Sequence, residues 1–542
     1  MPSFESNFYS VILLCAAWKI VLRFLQFFQQ EEYDNLRFLR WWIRTRSFEK
    51  RATGTVMGLA ILGIPVQFLH SYAQWVIFFV VAACFVNAGW SHHFPASKKP
   101  LVMTARAKRI VFISFLLLLV FQNALSQLGK LVFPAVPTIT LLLFACGIVL
   151  FCIPLALVAA NIVLAPFEYL NQRRYVKEAK QILRDKNPHI IGITGSYGKT
   201  STKHILAHIL AAHSPTLATP GSVNTRMGIT RIIRERLRDE HRFFIVEMGA
   251  YKIGSIRSLC AFTPPKSGMI TAIGLAHWER FQSIETVTQA KSELVRALPP
   301  GGIAVLNGDD PQCRKIAENL HIQPYFYGLS AENGRVDCRI RDIEVTPTGT
   351  DCVFEYGGRQ YKIHIPLFGN HQVLNTAAAF LMSVLLSVPP IVAVAALRSL
   401  PPISHRLVVN RGGDGITIID DSYNSNPSGF LSALDVLQSL PGERKILVTP
   451  GMVELGDKKE EEHLRIAAHA AKMCHRICLI APERIPEMRS GLLQNGFPSE
   501  NIHEFASLLN AREWMNGFLR AGDVVLFEND LPDVYESPSA FS

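Results

Sequence analysis

A chain of 542 residues is too long for one hydrophobic core, so two to four domains are expected. Apolar residues make up 49% of it, mean hydropathy is +0.20, and no Asp or Glu occurs between Glu49 and Glu168, which excludes an ordinary soluble domain over that stretch. The formal charge of +11 does not point to nucleic acid as a partner, because much of it lies in short basic runs beside apolar segments, Arg37 to Arg51 and Lys98 to Arg109. Membrane lipids account for those runs better.

In chain order, the first 165 residues read as a transmembrane region of about five helices, at 8–29, 54–70, 72–90, 110–129 and 136–164. The 54–70 segment is short and contains Pro65, and the first carries Lys19 and Arg23, so it could instead lie in the interface. The basic loops 30–53 and 91–109 fall on the same side as Arg173, Arg174, Lys177 and Lys180. Positive-inside therefore places everything after residue 165 in the cytoplasm, where ATP is. Apolar spans continue well past the start, so it is not a cleavable signal peptide. A linker helix is expected at 166–187.

From His189 the pattern changes to short apolar runs that end in Gly-rich turns and lead into helical periods. Strands are expected at His189–Thr194, Phe243–Glu247 and Lys266–Ile273, with a helix at Thr202–Ala212. Alternating strands and helices imply a mainly parallel α/β sheet over 188–402, and Pro401-Pro402 precedes a second α/β domain over 403–542. The ten Cys residues form no CxxC and no zinc spacing, and read as buried reduced thiols.

The sharpest motif is Thr194-Gly195-Ser196-Tyr197-Gly198-Lys199-Thr200-Ser201, set between a strand and a helix. Backbone N–H groups freed by glycine and by a helix start can close around phosphates, Lys199 can reach the outer phosphates, and the Thr200 hydroxyl can bind Mg²⁺. Ile193 stands where a Walker loop has its first Gly. Glu247 ends a strand, where α/β sheets place ligands, and is a second Mg²⁺ ligand or merely a solvated carboxylate.

Together with ATPGSVNTRMGIT (218–230), VEMGAYKIGSI (246–256), AHWERFQSIETVTQAKSEL (276–294), LNGDD (306–310), FGNHQVLNTAAA (368–379), SHRL (404–407), IDDSYNSNP (419–427) and GMVELG (451–456), this motif resembles the Mur ligase family, its MurF-like branch. The resemblance covers 189–535. It implies a P-loop ATP-binding domain and a Rossmann-like ligase domain that join D-alanyl-D-alanine, or a similar amino acid or dipeptide, to a cell-wall peptide in a bacterial inner membrane. The Thr194–Ser201 loop would hold ATP with Asn375, Arg406 and Asp421, His371 lying beside Asn375 in the same motif. Thr200, Glu247, His277 and a carbamoylated Lys291 would hold what are expected to be two Mg²⁺ ions, and Asn224 and Thr225 would face the acceptor.

The reaction so implied activates a carboxylate as an acyl phosphate, releases ADP, and lets an amine displace phosphate. The sequence departs from the family at Ser222, often Asn there, and by carrying membrane segments where MurF-like enzymes hold their UDP-sugar. The acceptor is therefore either UDP-linked, such as UDP-N-acetylmuramoyl tripeptide, or lipid-linked or polymeric, as in a ligase making another envelope polymer or a poly-amino-acid. A P-loop ATPase driving transport is the alternative from another class, against which stands the absence of an LSGGQ-like signature. A catalytically dead scaffold is a further alternative, against which stand Lys199, Glu247, His277 and Lys291.

Overall fold

The structure, a computed structural model, describes residues 17–44, 100–136, 138–275, 278–329, 334–423 and 425–529. The expected spans 54–70 and 72–90 lie outside them. The described residues divide into two compact units, one up to Gln172 and one from Arg173 to Asn529.

The first unit is helical. Helix Trp18–Gln30 buries Phe24, Phe27 and Phe28 with Phe38 of helix Asn35–Arg44 and with Ile110 and Leu118 of helix Ala105–Val132. The last of these buries polar residues beside its apolar ones and also presents an exposed apolar face. Ser114, Gln122 and Ser126 are buried, whereas Phe112, Leu116, Val120 and Leu131 are exposed. Glu168, the first acidic residue after Glu49, meets Arg109 at 2.6 Å, and Asn161 donates to Tyr33 O (3.1 Å) while accepting from Arg106 (2.9 Å).

Among the described residues two helices are long and apolar enough to cross a membrane, Ala105–Val132 and Ile153–Lys186. The span expected at 136–164 is not one helix. Helix Thr138–Phe151 stops after 14 residues, and a new helix begins at Ile153. Pro154 explains the break, because its ring has no N–H to donate and disfavours helical backbone before it. The expected linker 166–187 is the continuation of Ile153–Lys186 rather than a separate helix.

In the second unit the end of that helix packs on its neighbours, with Val176, Ala179 and Leu183 buried against Ile229, Ile232 and Ile233. Arg234 pairs with Glu178 at 3.0 Å and lies over Tyr175. Two mixed α/β sheets follow. The first contains β1 (His189–Thr194), β2 (Thr216–Ala218), β3 (Phe243–Glu247), β4 (Ser267–Ile270), β5 (Ile303–Asn307), β6 (Tyr325–Gly328), β7 (Cys338–Thr346), β8 (Gly349–Tyr356) and β9 (Arg359–Ile365). Its order is β2-β3-β1-β4-β5-β6-β7-β8-β9, parallel through β7 and antiparallel from β7 to β9. The antiparallel end had no counterpart in the sequence reading.

The second sheet, with β10 (Val408–Arg411), β11 (Thr417–Asp421), β12 (Arg444–Thr449), β13 (Arg476–Ile480), β14 (Ile502–Phe505) and β15 (Asp523–Glu528), runs β10-β11-β15-β12-β13-β14. Only β10 is antiparallel to its neighbour. Strands with an apolar run, such as Ile190–Ile193 of β1, are covered on both faces, as parallel sheets require. Register sets Glu247 beside Ile193 and Thr194 beside Ile270, so β1, β3 and β4 end along one edge. Ligands bind at such edges.

Candidate active site

The loop after β1 is held by its neighbours before anything binds. Ser196 N donates to Ala272 O (2.6 Å), Ser196 Oγ donates to Gly274 O (3.0 Å), and the Thr271 hydroxyl donates to Tyr197 O. Thr194 Oγ1 donates to Met248 O at 2.9 Å. Gly198 has φ +77°, and a Cβ there would run into the Asn375 carboxamide. No other residue type meets both demands. Helix Lys199–Ala211 then starts with Ser201 buried, and Lys199 Nζ donates to Gly195 O (2.7 Å) and Ser196 O (3.3 Å). Burial lowers the Lys199 ammonium below its ordinary pKa, the charge of Glu247 opposing.

Glu247 is the hub of this edge. Its Oε2 accepts from Thr200 Oγ1 and from Lys203 Nζ, both at 3.0 Å, and its Oε1 accepts from Asn224 Nδ2 at 3.3 Å. Thr225 caps helix Arg226–Arg236 by accepting from Gly228 N (3.4 Å), which gives it a structural task in the same loop. Lys291, on helix Ile284–Arg296, is 4% exposed. Burial pushes its pKa well below the ordinary value and the charge of Lys199 pushes it further, so the ammonium form is disfavoured. His277 lies outside the described residues.

From the second sheet, Arg406 stacks over Tyr423 at 4.3 Å, and its charge acts on Lys199 and His371 as well as on Asp421. His371 pairs with Ser432 at 2.9 Å, and burial lowers its pKa to about 4. Asn375 Oδ1 accepts from Thr202 at 3.1 Å, so its carboxamide lies against the phosphate-loop helix. Asp421 accepts from Leu407 N (3.1 Å) and sits in register with Glu528 on adjacent parallel strands. Burial raises Asp421 to about 6 against the pull of Arg406. Burial and the charge of Asp421 raise Glu528 well above the carboxylate range.

The profile of the Mur ligase middle domain matches residues 193–383, and that of the Mur ligase C-terminal, or glutamate ligase, domain matches 405–528. The chain carries both Mur ligase domains. Among curated proteins it is 33% identical over 322 residues to the UDP-N-acetylmuramoyl-tripeptide–D-alanyl-D-alanine ligase of Mycobacterium tuberculosis, covering 57% of this chain and 61% of that protein. With the Escherichia coli ligase of the same name it shares 31% over 284 residues, 52% of this chain and 62% of that one. The chain thus spans about three fifths of the length of these relatives. Among solved structures, the MurF ligase of Thermotoga maritima in complex with ADP is 26% identical with a TM-score of 0.59, covering 68% of this chain and 83% of that one. Both profile matches lie after residue 192.

Within the Mur ligase domains, the structure brings Lys199, Thr200, Glu247 and Asn224 to one edge, with Asn375 against the same loop. Two further buried residues are not singled out by the sequence, Lys203 at this edge and Glu528 in the second sheet. Lys203 stands four positions after Lys199 on one helix, a spacing that puts both on one face, and that was the available signal. Glu528 had none, because its partner Asp421 is 107 residues away. Among the described residues no cluster of three His, Cys, Asp or Glu side chains could hold a metal. One hydroxyl and one carboxylate beside a phosphate loop nevertheless fit Mg²⁺, which commonly takes one or two carboxylates and completes its shell with phosphates and water.

Proposed function

We propose that this chain is a membrane-anchored, ADP-forming ligase that joins a carboxylate to an amine through an acyl phosphate. The observation that carries the reading is the convergence of a phosphate loop, Glu247 and a buried Lys291 within a Mur ligase middle domain. A carboxylate is a poor electrophile with a poor leaving group, and phosphorylation by ATP corrects both defects. The loop Thr194–Ser201 binds and orients the phosphates, with Lys199 released from Gly195 O and Ser196 O to meet them. Asn375, Arg406 and Asp421 hold the rest of the nucleotide. Asn224 and Thr225 present the acceptor carboxylate to the γ-phosphate. The amine then attacks the activated carbonyl and phosphate departs.

Thr200, Glu247, His277 and Lys291 as its carbamate would hold Mg²⁺, which when bound offsets charge on the transferring phosphoryl group. Carbamate formation needs a neutral amine, and burial shifts Lys291 in that direction.

The relatives named above favour D-alanyl-D-alanine as the amine and a UDP-linked muramoyl tripeptide as the acceptor. A second reading, a lipid-linked or polymeric acceptor, is favoured by the exposed apolar face of helix Ala105–Val132, which suits a chain anchored in the inner membrane with its ligase domains in the cytoplasm. The test is ADP release by the detergent-solubilised full chain across a panel of amines and acceptors, with the mass of each product. Amide product with one pairing identifies the substrates. ATP hydrolysis without product under every pairing would overturn the ligase reading.

A further inference from the structure

Lys203 is 0% exposed, and its ammonium has two partners, Glu247 Oε2 at 3.0 Å and the carbonyl of Gly221. An ammonium taken out of water is costly unless paired, and an apolar side chain of similar volume would fill the same space at lower cost. Its partners indicate what the charge does. Glu247 is the carboxylate that Thr200 also holds, next to the phosphate loop. Gly221 belongs to the segment 218–225, which touches Glu247 at two more points. Thr219 Oγ1 accepts from Glu247 N at 3.3 Å, and Asn224 Nδ2 donates to Glu247 Oε1 at 3.3 Å. The same segment reaches the second Mur ligase domain through Ser222, whose hydroxyl accepts from Tyr423 OH at 2.6 Å.

Beyond these contacts the segment is held near its end by Gly249 N, which donates to Asn224 O at 3.3 Å, and by packing of Val223. Gly221 has φ +48° with open space where a Cβ would point, and its neighbours are tied by Thr219 N to Ile245 O (3.0 Å) and Val223 N to Pro220 O (3.1 Å). We infer that Lys203 is a positioning residue that locks the 218–225 loop to Glu247, so that the phosphate side and the acceptor side of the site move as one piece. It touches neither phosphate nor acceptor in this role. It sets the height of the loop on which the acceptor carboxylate approaches, and it keeps Glu247 turned toward Thr200. The kinetic part of this inference rests on the ligase reading, whereas the structural part does not.

The test uses the full chain with Lys203→Met and Lys203→Gln. Amide hydrogen exchange without nucleotide should rise selectively over 218–225 in Lys203→Met, with exchange elsewhere unchanged. Lys203→Gln keeps a donor for Gly221, and its loop should exchange close to wild type. In turnover, Lys203→Met should raise the acceptor KM about tenfold or more, while Mg²⁺-free ADP affinity stays within about twofold. If Lys203→Met does not fold, Lys203→Gln still decides: weaker retention of Glu247 should raise the Mg²⁺ concentration needed for half-maximal ADP binding, and an unchanged Mg²⁺ dependence overturns the inference. Unchanged loop exchange with unchanged acceptor KM in Lys203→Met overturns it, as does a uniform rise in exchange across the domain. No product from wild-type enzyme under any pairing would defeat the ligase reading alone, since loop exchange is read without turnover.

Discussion

Lys291 and Asp421 are both buried ionisable groups, and burial acts on them in opposite senses of charge. For Lys291 it disfavours the ammonium, the direction that uptake of CO₂ requires. Lys291→Ala should lower turnover on the order of 100-fold, as loss of a metal-holding group does, with ADP affinity little changed. CO₂-depleted buffer should depress wild-type activity and bicarbonate should restore it. A fully active enzyme whose Lys291 is unmodified by mass would end the carbamate proposal. For Asp421, burial raises the folded pKa to about 6, above its ordinary 3.8. The stabilisation from its protonated form is therefore full below pH 3.8 and is lost as pH rises through about 6. Asp421→Asn should flatten that part of the profile, gaining on wild type in urea midpoint between pH 4 and 7. Parallel profiles for the two proteins would refute the assignment.

At the scale of elements, the turn from β1 into helix Lys199–Ala211 depends on Gly198. Its φ of +77° costs an L-residue roughly 1–2 kcal/mol, and the Asn375 carboxamide occupies the space a Cβ would need. Gly198→Ala should thus destabilise the domain by about 2 kcal/mol or more and abolish ATP turnover, read from denaturant midpoints and ADP release. Adding Asn375→Ala should relieve the overlap but not the backbone strain, so the double variant should recover only part of the stability. Full recovery would show that crowding alone makes glycine necessary. The break between helices Thr138–Phe151 and Ile153–Lys186 belongs to the same scale. Hydropathy runs smoothly across it, and only the backbone demand of Pro154 divides it.

For the whole molecule, the helical unit differs from the two sheets in exposing large apolar side chains along its long helices as well as burying an apolar core. In the proposed topology the basic loops face the cytoplasm with the ligase domains. Single cysteines at Arg37 and Lys99, in a chain whose native thiols are replaced, should resist a membrane-impermeant thiol reagent in intact cells. Cysteines at Ser71 and Pro134 should react. Labelling at Arg37 from outside would reverse the orientation and separate the catalytic domains from ATP.

Read alone, the residues determined whatever is local. A buried strand, a glycine turn and a helix start are consecutive in Ile190–Ser201, so the phosphate loop was legible as a unit, and nine ordered motifs carried the ligase resemblance that the two domain profiles bear out. Strands β1 and β3 are legible because each has a continuous apolar run, Ile190–Ile193 and Phe243–Val246, while β7 to β9 are not, since their half-exposed pattern is interrupted by charges and a bulge. What tertiary structure decided is which distant groups meet. Glu247 gains Lys203 and Asn224 from two other segments, and Asp421 meets Glu528 only because β15 lies beside β11. A charge's meaning depends on its partner and its distance from water, and neither is a property of the residues beside it in the chain.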